Sequence, residues 1–314
     1  MSRGPVRRIL VIKLDGFSDF VLAFGAFNAI RHHHADAHII LMTTKRYGEL
    51  ARKSGWFDEV WEDGAPARGR FGKVAKLIRR LRRTPLDRVY DLENTQRTGR
   101  YRFWMRDFWG NKADWSYSSR GFLPFLRASQ NIPEHYVEQL VHQLAEAGIT
   151  DMPTPDLSWL TTGYGGRYGL QDGYVLIAPG GTFARNGIGW PVERFSELAR
   201  RLAIEGRRPV IIGEPADAAT NQVIAAASPE AMDLTGKTSL FDVAVLATHA
   251  SAALGNDSGI VHLLAAIGCP TAIMFSTASD PDRNAPRGRY VVMLRQENLA
   301  DLPVSEVAAA LRLR

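Results

Sequence analysis

Apolar and polar positions along the chain alternate between two periods. Arg8-Ile-Leu-Val-Ile-Lys13 is a short continuous apolar run and reads as a buried first strand. Phe20, Phe24, Phe27 and Ile30 then recur at helical spacing, which predicts one helix over Asp19 to Arg31. His38 to Met42, Glu59 to Trp61 and Arg88 to Leu92 are further candidate strands, separated by helical segments. Residues rich in Pro, Gly, Thr and Asp fill Ile149 to Gly173, and this stretch reads as an interdomain linker.

After the linker the alternation restarts. Strands are expected over Tyr174 to Ala178, Pro209 to Ile212, Ala252 to Leu254 and Thr271 to Phe275. A helix is expected from Pro191, placed in the first helical turn, with Phe195, Leu198, Ala199 and Leu202 on its buried face and Gly206 as its stop. Ser239 with Asp242 three residues on predicts a capped start for a helix over Leu240 to Thr248. Ile260 to Ile267 and Pro303 to Leu313 are the remaining expected helices. Strand–helix alternation predicts an α/β protein with parallel sheets covered on both faces. A length of 314 residues suits two domains, placed at 1–155 and 156–314. Ligands in such units bind at the C-terminal ends of the strands.

Charge changes the picture in one respect. The net +6 is confined to the first half: residues 1–156 hold 25 Lys and Arg against 18 Asp and Glu, and residues 157–314 hold 14 against 15. An anionic partner is therefore expected at the N-terminal half. Eight Lys or Arg and no acid lie in residues 68–83, where Phe71, Val74, Leu77, Ile78 and Leu81 repeat at helical spacing. That is an amphipathic helix with a basic face, either solvated or in contact with anionic lipid headgroups or sugar acids. Arg97, Arg100, Arg102 and Arg106 form a second basic cluster. No nucleic-acid-binding motif accompanies them, and no nucleic-acid partner is expected. The apolar run behind the arginine-rich start is too short for a signal peptide, and no stretch approaches the ~20 apolar residues of a membrane span. Cys269 is the only cysteine, which excludes an internal disulfide and suits a reducing cytoplasm. His32-His33-His34 cannot share one helix face and read as a polar helix end, so no metal site is expected.

Four segments carry candidate chemistry. Gly255-Asn256-Asp257-Ser258-Gly259-Ile260-Val261-His262 follows a short strand and opens a helix. Amides at such a start favour a phosphate, although Asn256 or Asp257 would equally serve as a plain cap. His262 falls one turn into the same helix, on the side of Ser258. The loop Pro179 to Gly189, with Gly181, Thr182 and the cation Arg185, is a second place for a pyrophosphate or simply a solvated loop. Gly213-Glu214-Pro215-Ala216-Asp217 follows the second strand of this half, and an acidic side chain there is positioned either for ribose hydroxyls or as an exposed loop carboxylate. Lys13-Leu-Asp15-Gly-Phe-Ser-Asp19 links the first strand to the first helix, where a carboxylate would act as a general base unless Ser18 or Asp19 merely caps the helix. The first strand is not followed by GxGxxG, which argues against a nicotinamide dehydrogenase.

Together these segments resemble the family-nine glycosyltransferases, the group of the lipopolysaccharide-core heptosyltransferases. The likeness is strongest in Tyr174 to Gly213 and in Asp233-Leu-Thr-Gly-Lys-Thr-Ser-Leu240 through Gly255 to His262, and Ile9 to Asp19 is similar to the family's N-terminal signature. The resemblance implies a GT-B architecture, two Rossmann-like domains facing across a cleft, the first for acceptor and the second for donor. It implies inverting, metal-independent transfer of a sugar from a nucleotide sugar, typically ADP-heptose, with no cofactor and with an anionic glycolipid acceptor at the inner membrane surface. It places the catalytic base at Asp19 and basic phosphate contacts at Lys13 and Arg97. It places the donor at Gly181, Thr182, Arg185, Asp217, Thr238, Asp257, Ser258, Gly259 and His262. The chain departs from the family pattern at Ile188-Gly189, where a basic residue usually precedes the tryptophan, at Ser18 before the base, and at Gly25, where proline is common. A transferase for another sugar and a non-catalytic nucleotide or glycan binder are the competing expectations.

Overall fold

The computed structural model describes residues 6–14, 16–62, 71–108, 113–117, 134–162, 165–181, 184 and 186–311. Asp15, Thr182 and Arg185, and the side chains of Phe71 and Arg106, lie outside the described residues.

The chain forms two compact units. One comprises Met1–Gly16 and Ala23–Asp156; the other comprises Phe17–Leu22 and Leu157–Arg314. The first is built on β1 (Arg8–Ile12), β2 (His38–Met42), β3 (Glu59–Trp61), β4 (Arg88–Asp91) and β5 (Asp114–Tyr117). These pair, all parallel, in the order β3-β2-β1-β4-β5. The second is built on β6 (Val175–Ala178), β7 (Pro209–Ile211), β8 (Met232–Asp233), β9 (Ala252–Asn256), β10 (Thr271–Phe275) and β11 (Val291–Arg295), again all parallel, in the order β11-β10-β9-β6-β7-β8. In each sheet the strand order reverses beside the unit's first strand, between β1 and β4 and between β6 and β9. Connections leave to opposite faces at that point, so it opens a crevice at the C-terminal edge.

Strands β1, β2, β4, β6, β7, β9 and β10 are almost wholly buried, as apolar runs covered on both faces should be. Leu10, Ile12, Ile40, Met42, Leu77, Leu81, Met105 and Trp115 form one core; Ile177, Phe195, Leu198, Leu202, Ile211, Leu254 and Met274 belong to the other.

The expected helix over Asp19 to Arg31 is two helices, α1 (Phe17–Leu22) and α2 (Phe24–His33), broken at Ala23. The 3.6-residue period continues across the break, which is why the pattern does not reveal it. The break coincides with the point where the chain passes from the second unit back to the first. Helices α3 (Lys45–Lys53), α4 (Phe71–Arg83), α5 (Gln96–Arg102) and α6 (Tyr136–Glu146) complete the described helices of the first unit, with a π-helical turn at Phe103–Phe108. In α4, Leu77 and Leu81 are buried but Val74 is exposed, so the apolar face is shorter than the spacing suggests. Arg80 pairs with Glu59 at 2.6 Å and lies 4.2 Å from the Trp61 ring centre, whereas Lys73, Lys76 and Arg79 are exposed.

In the second unit α7 (Val192–Ile204) has Pro191 as its N-cap rather than within its first turn, and Gly206 follows its end at φ +75°. α8 (Ala218–Ala226) follows. α9 (Leu240–His249) has the expected capping box, Ser239 accepting from the Asp242 amide and Asp242 from that of Ser239. α10 (Gly259–Ala266), α11 (Pro281–Asn284) and α12 (Val304–Ala310) complete this unit's described helices. Among the described residues no helix is long and apolar enough to cross a membrane, and no group of three His, Cys, Asp or Glu is placed to hold a metal ion. His32 faces the Asn28 carbonyl, and His34 lies 2.8 Å from the Tyr90 hydroxyl.

Candidate functional site

Strands β6 and β9 are neighbours in register, Ala178 opposite Gly255. The loops that leave them, Pro179–Gly181 and Asp257–Gly259, therefore emerge side by side at the crevice of the second sheet. Asn256 ties them together. Its side chain, 2% exposed, donates to the Pro179 carbonyl at 2.7 Å and accepts from the Trp190 amide at 2.8 Å. Trp190 is itself fixed by its indole N–H on the Leu302 carbonyl and by the edge of the Phe195 ring. The possibility that Asn256 or Asp257 caps α10 is thus corrected: Ser258 occupies the cap position with extended backbone, and its side chain makes no capping hydrogen bond.

The glycines of this region are required by protein atoms. Gly181, at φ +123°, lies so close to the other loop that a Cβ there would stand 3.1 Å from the Asp257 carbonyl oxygen and from Ser258 Cβ. A Cβ at Gly189 would meet Ala184 Cα and Asn256 Nδ2 at 2.8 Å, so no side chain, basic or otherwise, fits before Trp190 without a shift. A Cβ at Gly259 would meet Phe17 Cβ at 2.7 Å and Phe17 Cγ at 2.9 Å. Phe17 opens α1, and α1 packs against α10 within the second unit. Asp19, half-buried, lies in the first turn of α1, so its helix is seated on the helix that begins at Gly259.

His262 is buried, with neither ring nitrogen hydrogen-bonded; Nε2 lies 3.5 Å from Asp257 Oδ1. Of the two side chains, the Asp257 carboxylate is the more exposed. Asp217 is buried and accepts from the Glu214 amide at 3.0 Å while lying against Gly180 and Gly213. Glu214, three residues beyond β7, is the half-exposed carboxylate of that loop. The Gly236 amide donates to the Gly213 carbonyl, bringing the turn that holds half-buried Thr238 beside the β7 loop. Gly181, Asp217, Thr238, Asp257, Ser258, Gly259 and His262 therefore all lie at the C-terminal edge of the second sheet.

Lys13 and Arg97 belong to the first unit. Arg97 is exposed in the first turn of α5. Lys13 is 2% exposed; its ammonium donates to Glu93 Oε2 at 2.9 Å and lies 5.3 Å from the Tyr136 ring centre. Beside it, Asp91 is buried at the end of β4 and accepts from the amides of Glu93 and Asn94. Burial lifts its carboxyl to about 6, against hydrogen bonds that pull it down.

The model of glycosyltransferase family 9 (heptosyltransferase) matches residues 74–307, three quarters of the chain. The chain belongs to glycosyltransferase family 9. Lipopolysaccharide heptosyltransferase 2 of Escherichia coli (strain K12) is 32% identical over 111 residues, which are 34% of this chain and 32% of that protein. This sequence match thus spans about a third of the relative's length. Among solved structures, a family 9 glycosyltransferase from Veillonella parvula superposes with a TM-score of 0.79 at 17% identity, over 97% of this chain and 95% of that one. E. coli heptosyltransferase WaaC with ADP superposes with a TM-score of 0.76 at 16% identity, over 96% and 98%. The fold is accordingly the GT-B kind of the family 9 heptosyltransferases, α/β with two parallel sheets.

The sequence singled out the segments of this site, Glu214 among them, but missed the packing of Phe17, the place of Glu93 and the bridging role of Asn256. A polar residue closing an apolar strand was the available signal for Asn256, and an apolar residue between Gly16 and Ser18 for Phe17. Nothing local identified Glu93, because its partner lies 80 residues away.

Proposed function

We propose that this family 9 enzyme is an inverting glycosyltransferase that moves heptose from ADP-heptose to a hydroxyl of an anionic lipopolysaccharide-core glycan. The observation that carries this reading is the seating of the Asp19 helix on α10, the helix whose uncapped start closes the β6–β9 crevice. Asp19 takes the proton of an acceptor hydroxyl. That oxygen attacks the anomeric carbon from the face opposite the nucleotide, and the bond to the diphosphate breaks, its electron pair leaving with ADP. Amides at the start of α10 and the Gly181 loop receive the diphosphate, whose growing charge they and the α10 dipole stabilise. Asp257, steadied by His262, meets the sugar side of the donor, while Glu214, Asp217 and Thr238 frame the nucleoside. Lys13 is engaged by Glu93, so Arg185 is the cation assigned to the leaving diphosphate, and no step needs a metal. Support for the donor comes from heptosyltransferase WaaC, solved with ADP and with ADP-2-deoxy-2-fluoro heptose. Support for an anionic acceptor at the inner face of the membrane comes from the basic first half and from exposed Lys73, Lys76, Arg79 and Arg97.

A panel of nucleotide sugars, each incubated with a deacylated lipopolysaccharide-core acceptor, tests the donor: ADP release and transfer are expected with ADP-heptose alone. Turnover of another nucleotide sugar reassigns the donor, and binding without turnover makes the protein a non-catalytic member. Asp19→Asn should lower kcat by about 10²- to 10⁴-fold with ADP affinity nearly intact. Wild-type kcat in that variant ends the assignment of the base.

A further inference from the structure

Strand β11 ends the second sheet and, among the described residues, pairs with β10 on one side only. Its ladder fixes which backbone groups face outward. Thr271 N–H donates to the Tyr290 carbonyl at 2.8 Å and Gln296 N–H to that of Phe275 at 3.1 Å. In this parallel register the even-numbered residues of β11 direct both their groups at β10. The N–H and C=O of Val291, Met293 and Arg295 therefore point away from the sheet. Natural edges are commonly guarded by Pro, Lys or a bulge. Val-Val-Met-Leu-Arg contains no Pro and no Lys, and Arg295, its one charge, lies 4.0 Å from Asp282. Met293 is 53% exposed, a large apolar side chain at an open edge.

We infer that β11 is a self-association edge, to which a second copy of this chain adds its own β11 antiparallel about a twofold axis at Met293. The outward groups set that register. Met293 faces the second copy's Met293, Val291 faces the second copy's Arg295, and each such pair exchanges both backbone hydrogen bonds. Every outward group of the strand is then satisfied. Charge selects the same alignment. Just beyond the strand, exposed Arg289 falls opposite the second copy's exposed Glu297, and no like charges meet. An axis at Arg295 would set that arginine against itself, and an axis at Val291 would set it against Arg287, so both alternatives are disfavoured. Leu294 turns inward to the core, so the alternate residues Val291, Met293 and Arg295 share the outer face, where the two Met293 side chains meet. One short strand pair buries less than the ~1,200 Å² of a standard interface, which makes this dimer weak and dependent on concentration.

Sedimentation equilibrium of the full chain, from about 1 to 300 µM, tests the inference: a monomer–dimer equilibrium with a Kd of about 10–100 µM is expected. Met293→Pro removes an outward N–H but no hydrogen bond to β10, as Pro on the open side of an edge strand can. It should weaken association about tenfold or more, with circular dichroism and melting temperature close to wild type. Arg289→Glu and Glu297→Arg, made singly, place like charges opposite each other at both ends of the pair. Each should weaken association by about three- to tenfold, and the double exchange should restore it to within about twofold of wild type. The charge exchange carries the test if Met293→Pro does not fold. A chain that stays monomeric over the whole range overturns the inference. So does association unchanged in a folded Met293→Pro variant, which would put the dimer on another surface, or a double exchange no tighter than the single reversals.

Discussion

Asn256 offers the sharpest measurement of how the second crevice is held. Replacing it by Ala removes two buried hydrogen bonds at once, to the Trp190 amide at 2.8 Å and the Pro179 carbonyl at 2.7 Å. Both partners belong to backbone that has no room to reach water: Asn256 is 2% exposed and Trp190 3%. A buried backbone group left without a partner costs about 1–3 kcal/mol, so the two together predict a loss of about 2–6 kcal/mol. The lower end is expected if a water enters the space vacated by the amide, the upper end if Trp190 N–H stays dry. Urea denaturation followed by circular dichroism measures this, with the denaturant slope unchanged from wild type so that the midpoint alone reports stability. Since Asn256 also sets the spacing of the Gly181 and Ser258 loops, ADP affinity should fall by about tenfold or more, measured by calorimetry. A destabilisation below about 0.5 kcal/mol with wild-type ADP affinity would refute the strut.

Three further outcomes follow from packing and protonation. Gly259→Ala places a methyl group against Phe17; overpacking of about 1–3 kcal/mol should lower the melting temperature by roughly 2–10 °C and reduce kcat through α1, whereas wild-type values in both would show that α1 is not tightly seated. Asp91, lifted by burial to about 6, keeps its proton in the native state where the unfolded chain has lost it, so its stabilisation is present below about pH 4 and lost as pH rises through 6. His34, pushed down to about 4 by burial and by neighbouring His33, Arg88 and Arg31, behaves oppositely: its stabilisation is present above pH 6.5 and lost as pH falls through 4. Relative to wild type, Asp91→Asn should gain stability as pH rises from about 4 to 6, and His34→Gln should lose its advantage over the same window. Urea midpoints that show no pH-dependent difference from wild type would contradict both.

The parallel sheets were legible because Ile9 to Ile12, Val175 to Ala178 and Thr271 to Phe275 are apolar runs that only two-sided burial explains. The capping box at Ser239 and Asp242 was legible because both partners lie within four residues. The elements that escaped are short or half-exposed. β5 reads Asp-Trp-Ser-Tyr and β8 has two residues, so neither carries an apolar signature of its own; β11, Val-Val-Met-Leu-Arg, is an apolar run at a sheet edge where only Leu294 is buried. At the site, the motifs were visible in sequence but their division of labour was not. Asn256 and Asp257 are adjacent and equally able to cap a helix; only the distance to Trp190 and Pro179 assigns Asn256 to its strut. Asp217 is a carboxylate at the expected place, and it is burial beside Gly180 that turns it inward. Lys13 owes its partner to the pairing of β1 with β4, a long-range fact that no window around residue 13 contains.

Helix α1 has a consequence for protein engineering. Its six residues come from the N-terminal end of the chain but are structurally part of the second unit, where Phe17 closes over Gly259. Chimeras that exchange the first half with that of another family member would graft a foreign piece onto the recipient's second half, so α1 and the surface it rests on would have to be matched. A recombinant fragment starting at Leu157 would likewise bare the apolar seat of Phe17 and need that short peptide supplied in trans.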